Sequence, residues 1–382
     1  MTRAAMPDRH QDSARPGRGD PGGGTVRVLA IPAYRNREGN PYNALLSEAI
    51  ERAGGRVAEF STRALLSGRA DVWHLHWPDH ALHRPGAGAA ALGLARFAAK
   101  VAIAKATATR IVWTVHNARP HEVRFPALTR ALRALLLRSI DAWIALSAEA
   151  RDEALAAMPR LARTRCAVIP HGHYRPCYPD PPDAPAARRL LDLPPDGRVV
   201  LFFGEIRPYK NVAHLLRTFR SCPDPDLRLV VAGRAAPGLA AELRALASPD
   251  PRVRLDVEFI PEDRVPAYFA AADLVALPFS RTLNSGSAIL ALSMDTPVLV
   301  PAVGSMPALR REVGPDWVHL FEGTLSPPVL ATALAAAGSV RGRAPIEHLN
   351  WDGIGRDTLD LYRAVVRARE GHRGTAPFRA RR

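Results

Sequence analysis

Short runs of β-branched and apolar residues alternate with longer stretches of helical periodicity along most of this chain. In the first half the apolar runs are 26–31 (VRVLAI), 56–60 (RVAEF), 72–76 (VWHLH), 110–115 (RIVWTV) and 141–146 (DAWIAL). Between them, 41–54, 88–108 and 125–138 repeat with helical spacing. This alternation predicts parallel strands joined by helical crossovers that cover the sheet. At 178–197 (YPDPPDAPAARRLLDLPPDG) Pro and Asp crowd together, as in a linker. A second series follows, with strands over 198–203, 227–232, 253–257, 273–278 and 297–301 and helices over 211–221, 237–248, 263–272 and 286–294. The expected fold is α/β, with two doubly wound Rossmann-like domains at 25–177 and 198–350, then a C-terminal helix within 351–369.

Composition adds boundaries and a compartment. The 382 residues are 47% hydrophobic, enough for two cores of ordinary size. Residues 1–24 are rich in Arg, Asp, Pro and Gly and read as a disordered leader, and 370–382 as a basic tail. The most apolar stretch, 92–109, carries Arg96, Lys100 and Lys105, which argues against a membrane span. Cys166, Cys177 and Cys222 form no C-x-x-C motif and no disulfide framework, so a reducing, cytoplasmic setting is expected.

Charge is uneven, with 26 Lys and Arg against 15 Asp and Glu in residues 1–180 and 26 against 22 in 181–382. A basic N-terminal half suits an anionic membrane surface or a phosphorylated substrate. Nucleic acid is not expected as a partner, because no basic-aromatic interleaving accompanies the charge.

In sheets of this kind the chemistry lies in loops after strands. The loop GEIRPYKN (204–211) places Arg207 and Lys210 where two cations would grip a diphosphate; the alternative is a solvated basic turn. Asn284, Ser285, Gly286 and Ser287 offer small side chains and backbone amides at the start of an apolar helix, where a phosphate can approach; the alternative is an ordinary N-cap. Asp224 and Asp226 spell D-x-D within a Pro-rich turn, which weighs against a metal role, and no cofactor or metal is expected beyond a nucleotide-sugar co-substrate.

Taken in order, these cassettes resemble the GT-B glycosyltransferases, particularly the retaining family 4 and its relatives. The resemblance rests on GEIRPYK, VVAG (230–233), FIPEDRVPAYFAAADLVALPF (259–279), the helix start at 284–287 and DTPV (295–298). It covers about residues 26–340. One departure stands out: Thr282 and Leu290 occupy the positions of the family's two glutamates. The family's handling of donor sugar and ribose is therefore not carried over.

The first half has its own phrases after strands: PAYRNREGNPYN (32–43), HLHWPDH (74–80), TVHNARPHE (114–122) and IPHGHY (169–174). Together with RPYKN these are similar to bacterial exopolysaccharide β-mannosyltransferases, which use GDP-mannose and a polyprenyl-diphosphate-linked oligosaccharide. That resemblance implies an inverting enzyme acting on a lipid-linked or glycolipid acceptor, and an inverting enzyme needs one base. Asp79 is the first candidate, with Glu122 and His116 in reserve; a turn acid after Pro78 is the alternative for Asp79.

Trp77 is a candidate sugar-stacking ring, and Asn117 and His171 are candidate cleft residues. Peripheral, salt-sensitive attachment to the inner face of the membrane is expected through the basic stretches 96–105 and 124–138. The competing readings are a retaining transferase or sugar-nucleotide epimerase on the same architecture, and a non-catalytic GT-B binding subunit.

Overall fold

The structure, a computed structural model, describes residues 24–119 and 123–373. The expected leader up to residue 23, the candidate base Glu122 and the end of the basic tail (374–382) lie outside the described residues. The chain forms two six-stranded sheets, one in each half. The first comprises β1 (Arg27–Ile31), β2 (Arg56–Glu59), β3 (Val72–Leu75), β4 (Arg110–Thr114), β5 (Ala142–Ala145) and β6 (Arg165–Val168). The second comprises β7 (Val199–Phe203), β8 (Arg228–Ala232), β9 (Val253–Asp256), β10 (Leu274–Ala276), β11 (Val298–Pro301) and β12 (Val318–Phe321).

Every pairing is parallel, as the alternating pattern requires. The orders are β2-β1-β3-β4-β5-β6 and β12-β11-β10-β7-β8-β9. Each order reverses beside its first strand, so crevices open at the carboxyl ends of β1 and β3 in one domain and of β7 and β10 in the other. Strands such as β3, β5, β7 and β11 are buried on both faces, which is why they read as unbroken apolar runs. The edge strands β6 (RCAV) and β12 (VHLF) are only partly covered, and their mixed composition gives no such run.

The expected linker folds onto the second domain. Within it the helix Ala184–Leu190 buries Ala187, and Leu191 follows into the core. Arg188 pairs with Asp273 at 3.2 Å, and the same carboxylate accepts the Val199 N–H at the start of β7 at 2.7 Å.

The final helix, Trp351–Arg373, runs past the expected boundary at 369 and returns to the first domain. It lies along the helix Tyr42–Arg52, where Arg52 pairs with Asp352 at 3.0 Å. Gly355 makes the approach close: a Cβ there would stand 2.4 Å from the Ala49 carbonyl oxygen. Trp351 covers Gly172, and its indole N–H donates to the His173 carbonyl at 2.6 Å. Arg175 donates to Asp295 and to the Ala344 carbonyl, both at 2.8 Å. The two segments that cross between domains are thereby tied to each other.

This packing predicts the behaviour of two neighbouring glycines. Gly355→Val should push the helices apart and lower stability by about 1–3 kcal/mol. Gly353, where a Cβ would meet Asn350 Oδ1 at an ordinary 3.4 Å, should accept Ala with unchanged or slightly raised stability. Thermal denaturation of both variants checks this; equal melting of Gly355→Val and wild type would contradict the helix contact.

Candidate active site

The loop after β7 begins with Gly204, whose φ of +119° favours glycine. A Cβ at this position would lie 3.1 Å from Ser287 Oγ and 3.4 Å from Lys210 Nζ. The expected cation and the expected helix start therefore meet over one glycine at the β7–β10 reversal. Lys210 is buried, its ammonium 5.4 Å from the Phe279 ring centre, and no carboxylate of the described residues lies within 4 Å of it. Desolvation lowers its pKa to about 8, opposed by Glu205 and assisted by Arg207.

Arg207 is partly exposed and held by Glu205 at 3.3 Å, a carboxylate that also faces Arg234 at 3.8 Å. Of the two cations, Lys210 alone is desolvated and unpaired.

Ser285 is the N-cap of the helix Gly286–Ser293, its Oγ accepting the Ala288 N–H at 3.1 Å. The capping alternative thus holds for Ser285, while Gly286 and Ser287 carry the approach. Asn284 Nδ2 is buried without a hydrogen-bond partner, a costly state that an oxygen-rich ligand would relieve. At the two glutamate positions of family 4, Thr282 Oγ1 donates to the Asn284 carbonyl at 2.8 Å and Leu290 is packed in the core. Asp224 and Asp226 form a turn before β8, Oδ1 of the first accepting the N–H of the second at 2.9 Å. They lie at the amino ends of the strands, away from the cleft. Among the described residues no group of three or more His, Cys, Asp or Glu is placed to hold a metal.

Opposite this half stands a cluster of imidazoles carried by the ends of β3, β4 and β6. His76 Nδ1 and His116 Nε2 are 3.2 Å apart. Tyr42, from the helix that follows β1, packs against His76, His116 and His171 with ring centres 5.9, 5.4 and 4.5 Å away. Behind them His74 is buried between Tyr362 of the final helix (2.7 Å) and Thr114 (2.8 Å). His171 Nδ1 donates to the Gly172 carbonyl at 2.8 Å, which leaves Nε2 to accept the Tyr174 hydroxyl at 3.3 Å. A Cβ on Gly286 would stand 3.1 Å from that hydroxyl and 3.6 Å from His171 Nε2. The imidazole cluster and the donor-side helix start therefore face each other across a narrow gap.

Trp77 stacks on His116 with ring centres 4.6 Å apart, so its ring serves the cluster first. Asn117 lies half-buried beside Ala118, which packs with Ala150 on Leu283 of the other domain. Asp79 sits inside the short turn Pro78–Leu82, at its second residue, partly buried. It is not in the imidazole stack. Its neighbours are Arg133, His83 and His80, and Arg133 also donates to the Ala118 carbonyl at 3.2 Å.

Desolvation separates the candidate bases. It raises the pKa of Asp79, against the opposing pull of Arg133, and lowers that of His116 to about 3 and of His171 to about 4. A base is only as strong as its conjugate acid is stable, so Asp79 gains basicity where His116 loses it. Tyr42 and Tyr174 went unselected in the sequence, although they lie in the strand-end phrases 32–43 and 169–174. Tyr362, near the far end of the chain, carried no local signal at all.

The comparisons with known proteins agree with this fold. Residues 197–337 match the family described as glycosyl transferases group 1. The chain is 34% identical over 334 residues, 87% of its length and 90% of the relative's, to a GDP-mannose:glycolipid 4-beta-D-mannosyltransferase of Xanthomonas campestris pv. campestris. A shorter match, 34% over 180 residues covering 44% of this chain and 39% of the relative, is to a D-inositol 3-phosphate glycosyltransferase of Mycolicibacterium gilvum. Among solved structures, sucrose-phosphate synthase of Thermosynechococcus elongatus superposes with a TM-score of 0.61 at 17% identity, covering 92% of this chain and 98% of the other. Anabaena Alr3699/HepE in complex with UDP-glucose does so at 0.61 and 17%, covering 91% and 100%. With two facing Rossmann-like domains, a lysine and a glycine-led helix on one side and a histidine-lined strand edge on the other, this chain belongs to the group 1 glycosyltransferases of the GT-B fold.

Proposed function

We propose that this enzyme transfers mannose from GDP-mannose to a glycolipid hydroxyl with inversion at the anomeric carbon. The observation that carries the proposal is the meeting of Lys210 and Ser287 over Gly204, directly opposite the strand edge that bears His171. The full-length similarity to a GDP-mannose:glycolipid mannosyltransferase supplies the sugar, the nucleotide and the acceptor class.

In this reading the donor diphosphate lies at Gly204, Gly286 and Ser287. The ammonium of Lys210 offsets the charge that develops as the glycosidic bond breaks, and Arg207 reaches the same group by leaving Glu205. The acceptor hydroxyl attacks the anomeric carbon from the opposite face. Its proton passes to the carboxylate of Asp79, and GDP departs with the bonding electron pair. Neutral imidazoles at His116 and His171 fit hydrogen bonds to sugar hydroxyls, since burial keeps both uncharged at physiological pH. The empty glutamate positions at Thr282 and Leu290 favour inversion over retention.

Two measurements test this reading. Asp79→Asn should bind GDP as wild type does and transfer mannose about 10²–10⁴-fold more slowly. Near wild-type transfer by this variant would remove Asp79 as the base. The second concerns Lys210, which must be charged to hold the diphosphate but has a pKa of only about 8 in the free protein. Above that pH binding has to take up a proton, so affinity for GDP should fall by up to about tenfold per pH unit as pH rises from 7 to 9. Lys210→Met should bind more weakly and show no such slope; an equal slope in the variant would assign the titration to another group.

A further inference from the structure

The helix Ala87–Ala106 packs on the first domain through Ala90, Phe97, Val101 and Ala104. Much of its remaining surface faces outward. Its 20 residues include an 18-residue window of mean hydropathy 1.5, of which only 22% is buried within the protein. The first charge within the helix is Arg96; before it come only Ala, Gly and Leu, with Leu92 51% exposed. A segment with four inward residues locked into a core is not free to cross a bilayer, so its uncovered side is an exterior surface.

The surroundings are mainly basic, although Asp79 and Asp141 flank the segment and Asp141 pairs with Lys105 near the end of the helix at 3.0 Å. Residues 80–140 contain ten Lys or Arg and a single acid, Glu122, a net of +9 out of +15 for the whole chain. The helix Pro126–Ser139, which packs beside Ala87–Ala106, has no acidic residue, and the segment leading into it exposes Val123 (49%) and Arg124. On a covered side, the helix packs against the turn that carries the proposed base. Gly93 lies so close to the turn Pro78–Leu82 that a Cβ would stand 2.0 Å from the Ala81 carbonyl oxygen.

We infer that the outward side of Ala87–Ala106, with the start of Pro126–Ser139, docks into an anionic lipid surface. Leu92 and its alanine neighbours enter the interfacial layer while the flanking arginines meet the headgroups. The inference deepens the glycolipid reading and rests on it in one respect: a lipid-anchored acceptor must rise from the bilayer to Asp79, and the helix that bears this face packs on the turn that holds Asp79. It also departs from the sequence expectation of purely electrostatic attachment, because screening at molar salt shortens the Debye length to about 3 Å and weakens the charges without touching apolar burial.

The test is flotation of the full chain with vesicles of phosphatidylglycerol and phosphatidylcholine, without donor or acceptor. Wild type should float with the anionic vesicles, bind phosphatidylcholine alone far more weakly, and leave a bound fraction after a molar-salt wash. The double variant Leu92→Glu, Ala95→Glu changes two exposed positions and should melt and bind GDP as wild type does. Its vesicle partition should fall by about tenfold or more. Complete release of wild type by salt, or undiminished binding of the variant, overturns the inference. So does sedimentation of wild type as a dimer that the variant abolishes, which would give the face to a second copy of the chain. Vesicle binding is read without sugar transfer, so a wrong donor or base leaves the result intact, and transfer to a soluble acceptor without vesicle binding removes this inference alone.

Discussion

The final helix can lie against the first because Gly355 has no side chain to hold it off the Ala49 carbonyl. Two helices in backbone contact have little freedom to slide, and the same stretch of chain places Trp351 on Gly172 and Tyr362 on His74. The cleft depends on this return. Without it the two sheets would be joined by the chain after β6 and by smaller contacts such as Ala118 and Ala150 on Leu283 and the Tyr174 N–H on Ser293 Oγ, a narrower tie between the donor-side helix and the histidine-bearing strand ends. Arg175 reinforces the arrangement by spanning from the first crossing segment to Asp295 and Ala344.

Water exclusion is the second common cause in the site, and it acts with opposite sign on its two kinds of group. A buried imidazole or ammonium loses the solvation that favours its charged form, so His116, His171 and Lys210 all have lowered pKa values. A buried carboxyl loses the same solvation in its own charged form, so the pKa of Asp79 rises. In the proposed reaction this one physical effect serves three ends: neutral hydrogen-bonding rings, a cation weakened until an anion arrives, and a carboxylate able to take a proton. The division of labour follows from placement rather than from any specialised residue.

The cassettes near the donor were legible because each is local. A strand, a glycine and a lysine six residues later form one loop, and helix starts announce themselves by small polar residues at one place. The strand ends of the first domain were legible as a set, since their histidines recur in phrases of similar kind. Ser285 shows the limit of such reading: it is both a member of the candidate donor group and an ordinary cap, and only its hydrogen bond to Ala288 shows which task its hydroxyl performs.

By itself the sequence determined the α/β class, the two-domain division and ten of the twelve strands, most of them because parallel strands buried on both faces must be apolar throughout, and the edge strands β2 and β9 by their place in the alternation. It could not show β6 and β12, whose half-covered edges leave no such run. It read 178–197 as a linker from its prolines, whereas Arg188 and Asp273, 85 residues apart, draw part of it into the second domain. Only the tertiary structure decided that Tyr362 supports His74 across 288 residues, that Lys210 meets Ser287 over Gly204, and that Asp79 stands apart from the imidazole stack beside an apolar helix. The reason is the same in each case: these contacts join positions far apart in the chain, and local spacing carries no information about which distant surface will come to lie against a given residue.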